Sequence, residues 1–393
     1  MRHQMIKAAA AVLVISALAA CSSGSGPVAP LATTPAVLTA PDPGTTPLDP
    51  AKAAILQAVL TKVVSQYAAT PDSESAARGI TAAVVTDQWT WSGAAGQDAV
   101  GTDLLPNTSM AVASITKTFI AAEVLLLAKA RKVDLDKPLS AYVKHKLTAN
   151  EATVRQHLSM TSGVPDFRPD DYTRLDKAIA AAPAKHWTAE QALTYDTAQP
   201  GQPGSPYNYS NPSYILLGLL IDKITGEPFQ SVLRRDLATP AGLERAAFQD
   251  AEKPQPPVAK DRTGSSCGAA FDGYIPCRAI ASLTAANAGL AADAPTVARW
   301  GYQLYGDRVV PAELVRQMTA GDGQYGLGTM RYSQQFGLGD AFGHGGNDPG
   351  YSSLMVAIPG HHVALSILLA NGNKDAGRIA EELVTAIQPL LGH

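Results

Sequence analysis

The chain has 393 residues, with 31 Lys and Arg against 34 Asp and Glu, and is 46% apolar, 17% charged and 6% aromatic. That apolar fraction can bury a sizeable core, which excludes a disordered chain, and the absence of a G-X-Y or heptad period excludes a fibre. A net charge of −3 supplies no basic face for neutralising phosphates, so nucleic acid is not an expected partner. What survives is a globular chain of one large domain or two.

Arg2 and Lys7 give the N-terminus a positive start, and Ala8 to Ala20 is an uncharged apolar run. The run is too short for a membrane span of about 20 residues and fits an export signal. It ends in Leu18-Ala19-Ala20-Cys21, which resembles a bacterial lipoprotein box; the alternative is an ordinary signal peptide cut near Ala20. The expected location is thus the bacterial cell envelope, with Cys21 lipidated and the protein facing the periplasm or exterior. Cys267 and Cys277 then remain in an oxidising compartment, as a disulfide or as two free thiols.

Residues 22–50 are rich in Pro, Ala, Thr, Ser and Gly without apolar periodicity, which predicts a solvated tether after the 1–20 signal. Ile55, Val59, Val63 and Tyr67 have helical spacing over 51–69. Segments 79–85 and 88–91 read as a hairpin. From Ser114 to Lys132, Phe119, Ile120, Val124 and Leu127 lie on several faces of one helix, which predicts central burial. The chain from about 135 to 250 is mostly helical, with many Pro and Gly breaks. Two strands, 350–358 and 363–369, flank the turn Pro359-Gly360-His361-His362, and Ile379, Leu383 and Ile387 mark a closing amphipathic helix. Strands at both ends with helices between predict an α+β fold. Its sheet domain would span 51–125 and 280–393, with an inserted all-helical domain over 126–279.

The sharpest chemical signal is Ala113-Ser114-Ile115-Thr116-Lys117. A serine and a lysine three apart on a first helical turn share one face. A lysine held there with little water has a lowered pKa and can take the serine proton. Two further segments join it: Tyr207-Asn208-Tyr209-Ser210-Asn211-Pro212 before a long apolar helix, and Gly343-His344-Gly345-Gly346 before the strand starting at Gly350. With these three motifs the chain, from about 51 to its end, resembles the serine β-lactamase and penicillin-binding protein superfamily. Within it, the chain resembles the branch of class C β-lactamases, D-alanyl-D-alanine carboxypeptidases and related esterases. Thr153-Val154-Arg155, Thr161-Ser162-Gly163-Val164-Pro165 and Tyr325-Gly326-Leu327-Gly328 add to the resemblance.

The resemblance implies an antiparallel sheet flanked by helices and an acyl-enzyme serine hydrolase without a metal or other cofactor. Ser114 would be the nucleophile, Lys117 would help deprotonate it, and Tyr209 would relay protons. Asn211 would bond Lys117 and the substrate amide. His344 stands where many relatives have Lys. Backbone N–H groups of Ser114 and of Asn347, just past Gly346, would form the oxyanion hole. Gly345 departs from the usual Thr, whose hydroxyl binds a substrate carboxylate, and this leans toward esterase-like members. Arg331 would be another carboxylate anchor or else a solvated side chain. Met160 replaces a common His in a segment read as structural, with a helix end at Gly163.

Expected substrates are D-amino-acid-containing cell-wall peptides or small esters and amides. The runners-up are a class C-type β-lactamase and, from another class, a catalytically inactive envelope binding protein. Gly264-Ser265-Ser266-Cys267-Gly268 matches a G-x-S-x-G elbow but lacks the strand before and helix after that the elbow needs. His145, His157 and His186 have no metal-ligand rhythm, and His361 and His362 fall in a predicted turn.

Overall fold

The computed structural model describes residues 40–68, 79–204, 206–260, 267, 272–321, 323–370 and 376–391. The signal, the lipobox with Cys21 and the first part of the tether lie outside the described residues, as does the G-x-S-x-G segment apart from Cys267. In chain order the strands are β1 (Thr46–Pro47), β2 (Gly79–Thr86), β3 (Trp89–Gly96), β4 (Met110–Ala111), β5 (Ala247–Phe248), β6 (Leu290–Ala292), β7 (Met330–Arg331), β8 (Phe342–Asp348), β9 (Tyr351–Ile358) and β10 (Val363–Leu369). Seven form one sheet in the order β1-β3-β2-β10-β9-β8-β7, and β4-β6-β5 form a smaller one. Pairing in the large sheet is antiparallel except for the parallel contact of β1 with β3.

Every residue of β2, β9 and β10 is buried, so these mostly apolar strands are covered on both faces. On one face, Leu56, Leu60 and Val63 of helix Pro50–Ala68 and Ile379, Leu383 and Ile387 of helix Ala376–Ile387 enclose Val84, Leu365 and Ile367. On the other face lies helix Ala294–Tyr305. Its Trp300 stacks on Phe119 at 3.9 Å between ring centroids and donates its indole N–H to Thr118 Oγ1 at 2.8 Å. Helix Thr116–Lys129, which carries Phe119, is thereby sandwiched between the sheet side and the helices of the middle of the chain, as its apolar faces require.

Three local expectations change. Residues 40–50, read from composition as tether, are in fact docked. The Ala40 N–H donates to Gly306 O at 2.9 Å, Tyr302 OH donates to Pro41 O at 3.0 Å, and Leu48 is buried. Pro-rich sequence is compatible with an edge strand, which is what β1 is. The third motif does not merely precede a strand: residues 342–348 are themselves β8, paired residue by residue with β9 (Gly346 with Ser353, Asp348 with Tyr351). Alternation is hidden there because glycine has no side chain to display it. The helix expected to end at Gly163 is Val154–Leu158, and Met160 takes the left-handed conformation (φ 60°) before Gly163 does (φ 76°).

Candidate active site

Ser114 sits in a single 3-10 turn, Ala113–Ile115, at the mouth of helix Thr116–Lys129. Ala113 is held at φ 49°, a conformation costly for a residue with a Cβ and sustained only by its surroundings. Those surroundings are visible. Thr116 Oγ1 donates to Ala113 O at 2.6 Å and accepts from Leu290 N at 3.1 Å. Ser353 Oγ of β9 donates to Val112 O at 2.7 Å. The turn is thus clamped from β6 on one side and β9 on the other.

Lys117 is fully buried, and its Nζ donates to Ser114 Oγ at 2.9 Å, Asn211 Oδ1 at 2.9 Å and Asn287 O at 2.8 Å. Burial pushes its pKa down to about 7, against the opposing pull of Asp166 and Asp348. Asn211 Oδ1 and the Asn287 carbonyl can only accept. A neutral Lys117 therefore keeps its two N–H bonds to them and turns its lone pair on Ser114. Tyr209 OH donates to the same Ser114 Oγ at 2.8 Å, and burial raises its pKa, so the phenol stays protonated. A base and a hydrogen-bond donor thus converge on one hydroxyl, the arrangement that activates a nucleophile.

Local sequence explains how the second motif arrives. Ser210 caps helix Asn211–Thr225, its Oγ accepting from Ser213 N at 3.2 Å with Pro212 in the first turn, which suits proline. The Asn211 N–H donates to Asp166 Oδ1 at 3.0 Å, and its Nδ2 to Asp166 Oδ2 at 3.3 Å and Tyr172 OH at 3.2 Å. These acceptors orient the amide so that Oδ1 faces Lys117. Met160 holds the preceding loop by accepting from Asn208 N at its carbonyl (2.9 Å) and from Ser210 N at sulfur (3.3 Å).

In the third motif, His344 is fully buried behind Tyr209 rather than open to the cleft. Its Nε2 meets Tyr325 OH at 3.1 Å and its Nδ1 lies 2.6 Å from Gly345 O. Burial and then the Lys117 charge drive its pKa down to about 3, so the ring is neutral. Gly346 has no room for a side chain: a Cβ there would lie 2.4 Å from Val112 O and 2.5 Å from Ser353 Oγ. At Gly345 a Cβ would have its closest neighbour at 3.7 Å. Asn347 shares the wall of one cleft with Ser114. Arg331 does not line that cleft. It pairs across the sheet with Phe342, five residues before Asn347 and thus ~17 Å away along the strand, and its Nη1 is buried with no hydrogen-bond partner among the described residues. A carboxylate anchor for a small substrate at Ser114 is therefore not what this arginine supplies.

The cleft has a volume of ≈ 180 Å³. Phe167, Leu175, Ile179, Ile280 and Leu283 form an apolar wall, while Asn211, Asn287, Asn347, Asp176 and Asp348 supply the polar part. Sequence reasoning missed Asp166, Tyr172, Asn287 and Asp348. Asp166 directly follows the quoted Thr161–Pro165 segment, but Asn287 and Asp348 carry no motif signal. The other histidines lie elsewhere: His157 Nδ1 is 3.2 Å from Ser213 Oγ, and His186 pairs with Asp250 at 2.9 Å. Cys267 and Cys277 are joined, with an S–S distance of 2.06 Å. Among the described residues no group of three or more His, Cys, Asp or Glu is placed to hold a metal ion.

Comparison with known proteins bears on this geometry. The chain resembles the D-amino acid amidase of Ochrobactrum anthropi SV3, solved with L-phenylalanine amide, with a TM-score of 0.70, 21% identity, and coverage of 85% of this chain and 99% of the other. A D-stereospecific amidohydrolase from Streptomyces sp. gives 0.68 and 23%, covering 84% and 98%. Among curated sequences, the putative penicillin-binding protein PbpX of Bacillus subtilis is 28% identical over 169 residues, 41% of this chain and 38% of its own. The chain spans 29 to 38% of the lengths of such curated relatives. The likeness to the two solved structures shows a shared α+β fold, which in this chain is built on a seven-stranded sheet flanked by helices. The family profile described as Beta-lactamase matches residues 60–387, a stretch that contains all three motifs, and the chain therefore belongs to the β-lactamase family of serine hydrolases and penicillin-binding-protein-like proteins.

Proposed function

We propose that the protein hydrolyses amides or esters of D-amino acids through an acyl-enzyme on Ser114. The observation that carries this reading is the double engagement of Ser114 Oγ, by Lys117 Nζ at 2.9 Å and Tyr209 OH at 2.8 Å. Neutral Lys117 takes the Ser114 proton as Oγ attacks the substrate carbonyl carbon. The carbonyl oxygen becomes an oxyanion beside the backbone N–H groups of Ser114 and Asn347, where such donors are worth several kcal/mol, on the order of 3–4. The proton passes through Lys117 and Tyr209 to the leaving nitrogen, the C–N bond breaks, and ammonia or an amine departs. Water then adds to the ester, its proton returns to Ser114 Oγ by the same path, and the carboxylic acid leaves.

The fold neighbours named for D-amino acid amides support the D-amino-acid choice. A cleft lined by two carboxylates, and by no Lys, Arg or His among the described residues, disfavours carboxylate-terminated substrates, that is, a carboxypeptidase or β-lactamase role. The lipobox-like Leu18-Ala19-Ala20-Cys21 supports anchoring at the cell envelope through a lipid on Cys21. The test is hydrolysis of D-phenylalanine amide together with labelling by a neutral fluorophosphonate. Both should vanish in Ser114→Ala with thermal stability nearly unchanged. Labelling retained in that variant would refute the assignment.

A further inference from the structure

Building on that reading, we propose that Asp348 is the counter-charge for a substrate's α-ammonium group. The enzyme would then select amides whose acyl residue carries a free amine over acylated or deaminated ones. Asp348 ends β8 directly after Asn347, at the first position of the tight turn Pro349-Gly350, where Gly350 takes φ 80°. Pro followed by a left-handed Gly is the signature of a type II turn, so the position of Asp348 is set by backbone rather than by its own side chain. It lines the same cleft as Ser114.

Two carboxylates lie close enough to act on the Lys117 charge, and they differ in what they bind. Asp166 is fully used, by Asn211 N, Asn211 Nδ2 and Tyr172 OH. The Asp348 carboxylate, unlike its backbone, accepts no hydrogen bond from any described residue, and burial pushes its pKa up to about 7 even with Lys117 opposing. Lys117 cannot serve as its partner, since all three of its N–H directions are taken. A half-buried carboxylate without a donor is costly, and an incoming ammonium relieves that cost.

Substrate geometry agrees. In an aminoacyl compound the ammonium nitrogen is two bonds from the carbonyl carbon that Ser114 attacks. Its partner must therefore sit beside the oxyanion site, and successive Cα atoms such as those of Asn347 and Asp348 are about 3.8 Å apart. The side chain would then rest on the apolar wall of Phe167, Leu175, Ile179, Ile280 and Leu283. Carbonyl, ammonium and side chain make three points of attachment, enough to distinguish enantiomers.

The experiment compares D-phenylalanine amide, its N-acetyl derivative and 3-phenylpropanamide. A charge-assisted hydrogen bond predicts a kcat/KM preference of about 10- to 100-fold for the free amine. Asp348→Asn should bring the ratio to within about threefold of unity, with most of the loss in KM. A ratio unchanged by Asp348→Asn, or a wild type that hydrolyses all three amides equally, overturns the proposal. Inhibition of the wild type by D-phenylalaninol against 3-phenylpropanol gives a second readout independent of the variant's folding: the amine should bind at least about tenfold tighter, and equal affinity overturns the proposal. Absence of Ser114 labelling by a neutral fluorophosphonate would instead overturn the hydrolase reading on which it rests.

Discussion

Adding one methyl group at each of two adjacent glycines should be damaging at one and nearly neutral at the other. At Gly346 a Cβ would meet Val112 O at 2.4 Å and Ser353 Oγ at 2.5 Å, whereas an ordinary carbon–oxygen contact needs about 3.3–3.6 Å. Neither contact is the tip of a long flexible side chain: one is a backbone oxygen and the other is a hydroxyl already donating to that same oxygen. In Gly346→Ala, β8 must therefore retreat by about 1 Å from the turn that carries Ser114. A misplacement of that size is worth about 100-fold in rate, and overpacking costs about 1–3 kcal/mol of stability. At Gly345 the nearest atoms are 3.7 to 4.0 Å away and φ lies outside the left-handed region, so Gly345→Ala should stay within about threefold in rate and within about 0.5 kcal/mol. The assay is the second-order rate of Ser114 labelling by a neutral fluorophosphonate, with thermal unfolding measured in parallel. If the two variants react equally fast, the close packing of β8 on the nucleophile turn does not set the geometry of attack.

Lys117, lowered to about 7, must be neutral to accept the serine proton. The kcat/KM for an uncharged ester should thus fall about tenfold per pH unit below 7 and level off above it; a flat profile from pH 5.5 to 8 would contradict this role. Lys117→Arg, which cannot lose its proton, should cost about 10²–10⁴-fold in rate, measured on the same ester. Glu123 is buried, its Oε2 has no hydrogen-bond partner among the described residues, and burial raises its pKa to about 7 from 4.5. Its protonated form is favoured on folding, so its contribution is fully present below pH 4.5 and lost as pH rises through about 7. Glu123→Gln should therefore gain up to about 3 kcal/mol relative to wild type between pH 5 and pH 8, seen as a growing difference in Tm; a constant difference would reject that ionisation. If Cys21 carries the proposed lipid anchor, Cys21→Ser should move the protein from the membrane to the soluble fraction, because acyl chains would be what holds it there; a variant that stays membrane-bound would remove the case for the anchor.

The three motifs were legible because each reactive residue type recurs at a fixed spacing, and because helix capping by Ser210 and the S-x-x-K turn are local matters. The sheet's central strands were legible from composition: 351–358 and 363–369 are dominated by apolar residues, with only Ser352, Ser353 and Ser366 among them, and a turn separates the two. What escaped notice depends on contacts between distant segments. Asn287 serves Lys117 with its backbone carbonyl, and any residue has one of those. Asp348 gains its place from a turn that ends a glycine-rich strand with no side-chain alternation to read. Arg331 looked near the third motif in sequence but pairs with the far end of β8. His344 looked like a substrate contact, yet strand pleating turns it inward to Tyr325.

The clamps on the nucleophile turn have a bearing on when the chain becomes reactive. Val112 is held by Ser353, 241 residues later, and Lys117 by Asn287, 170 residues later. During synthesis, Ser114 emerges long before either. Until β9 is in place it is an ordinary alcohol beside a solvated, protonated amine. A nascent chain that lacks β9 therefore lacks the bond that holds the Ser114 turn, and covalent labelling of Ser114 should report only molecules in which β9 has joined the sheet.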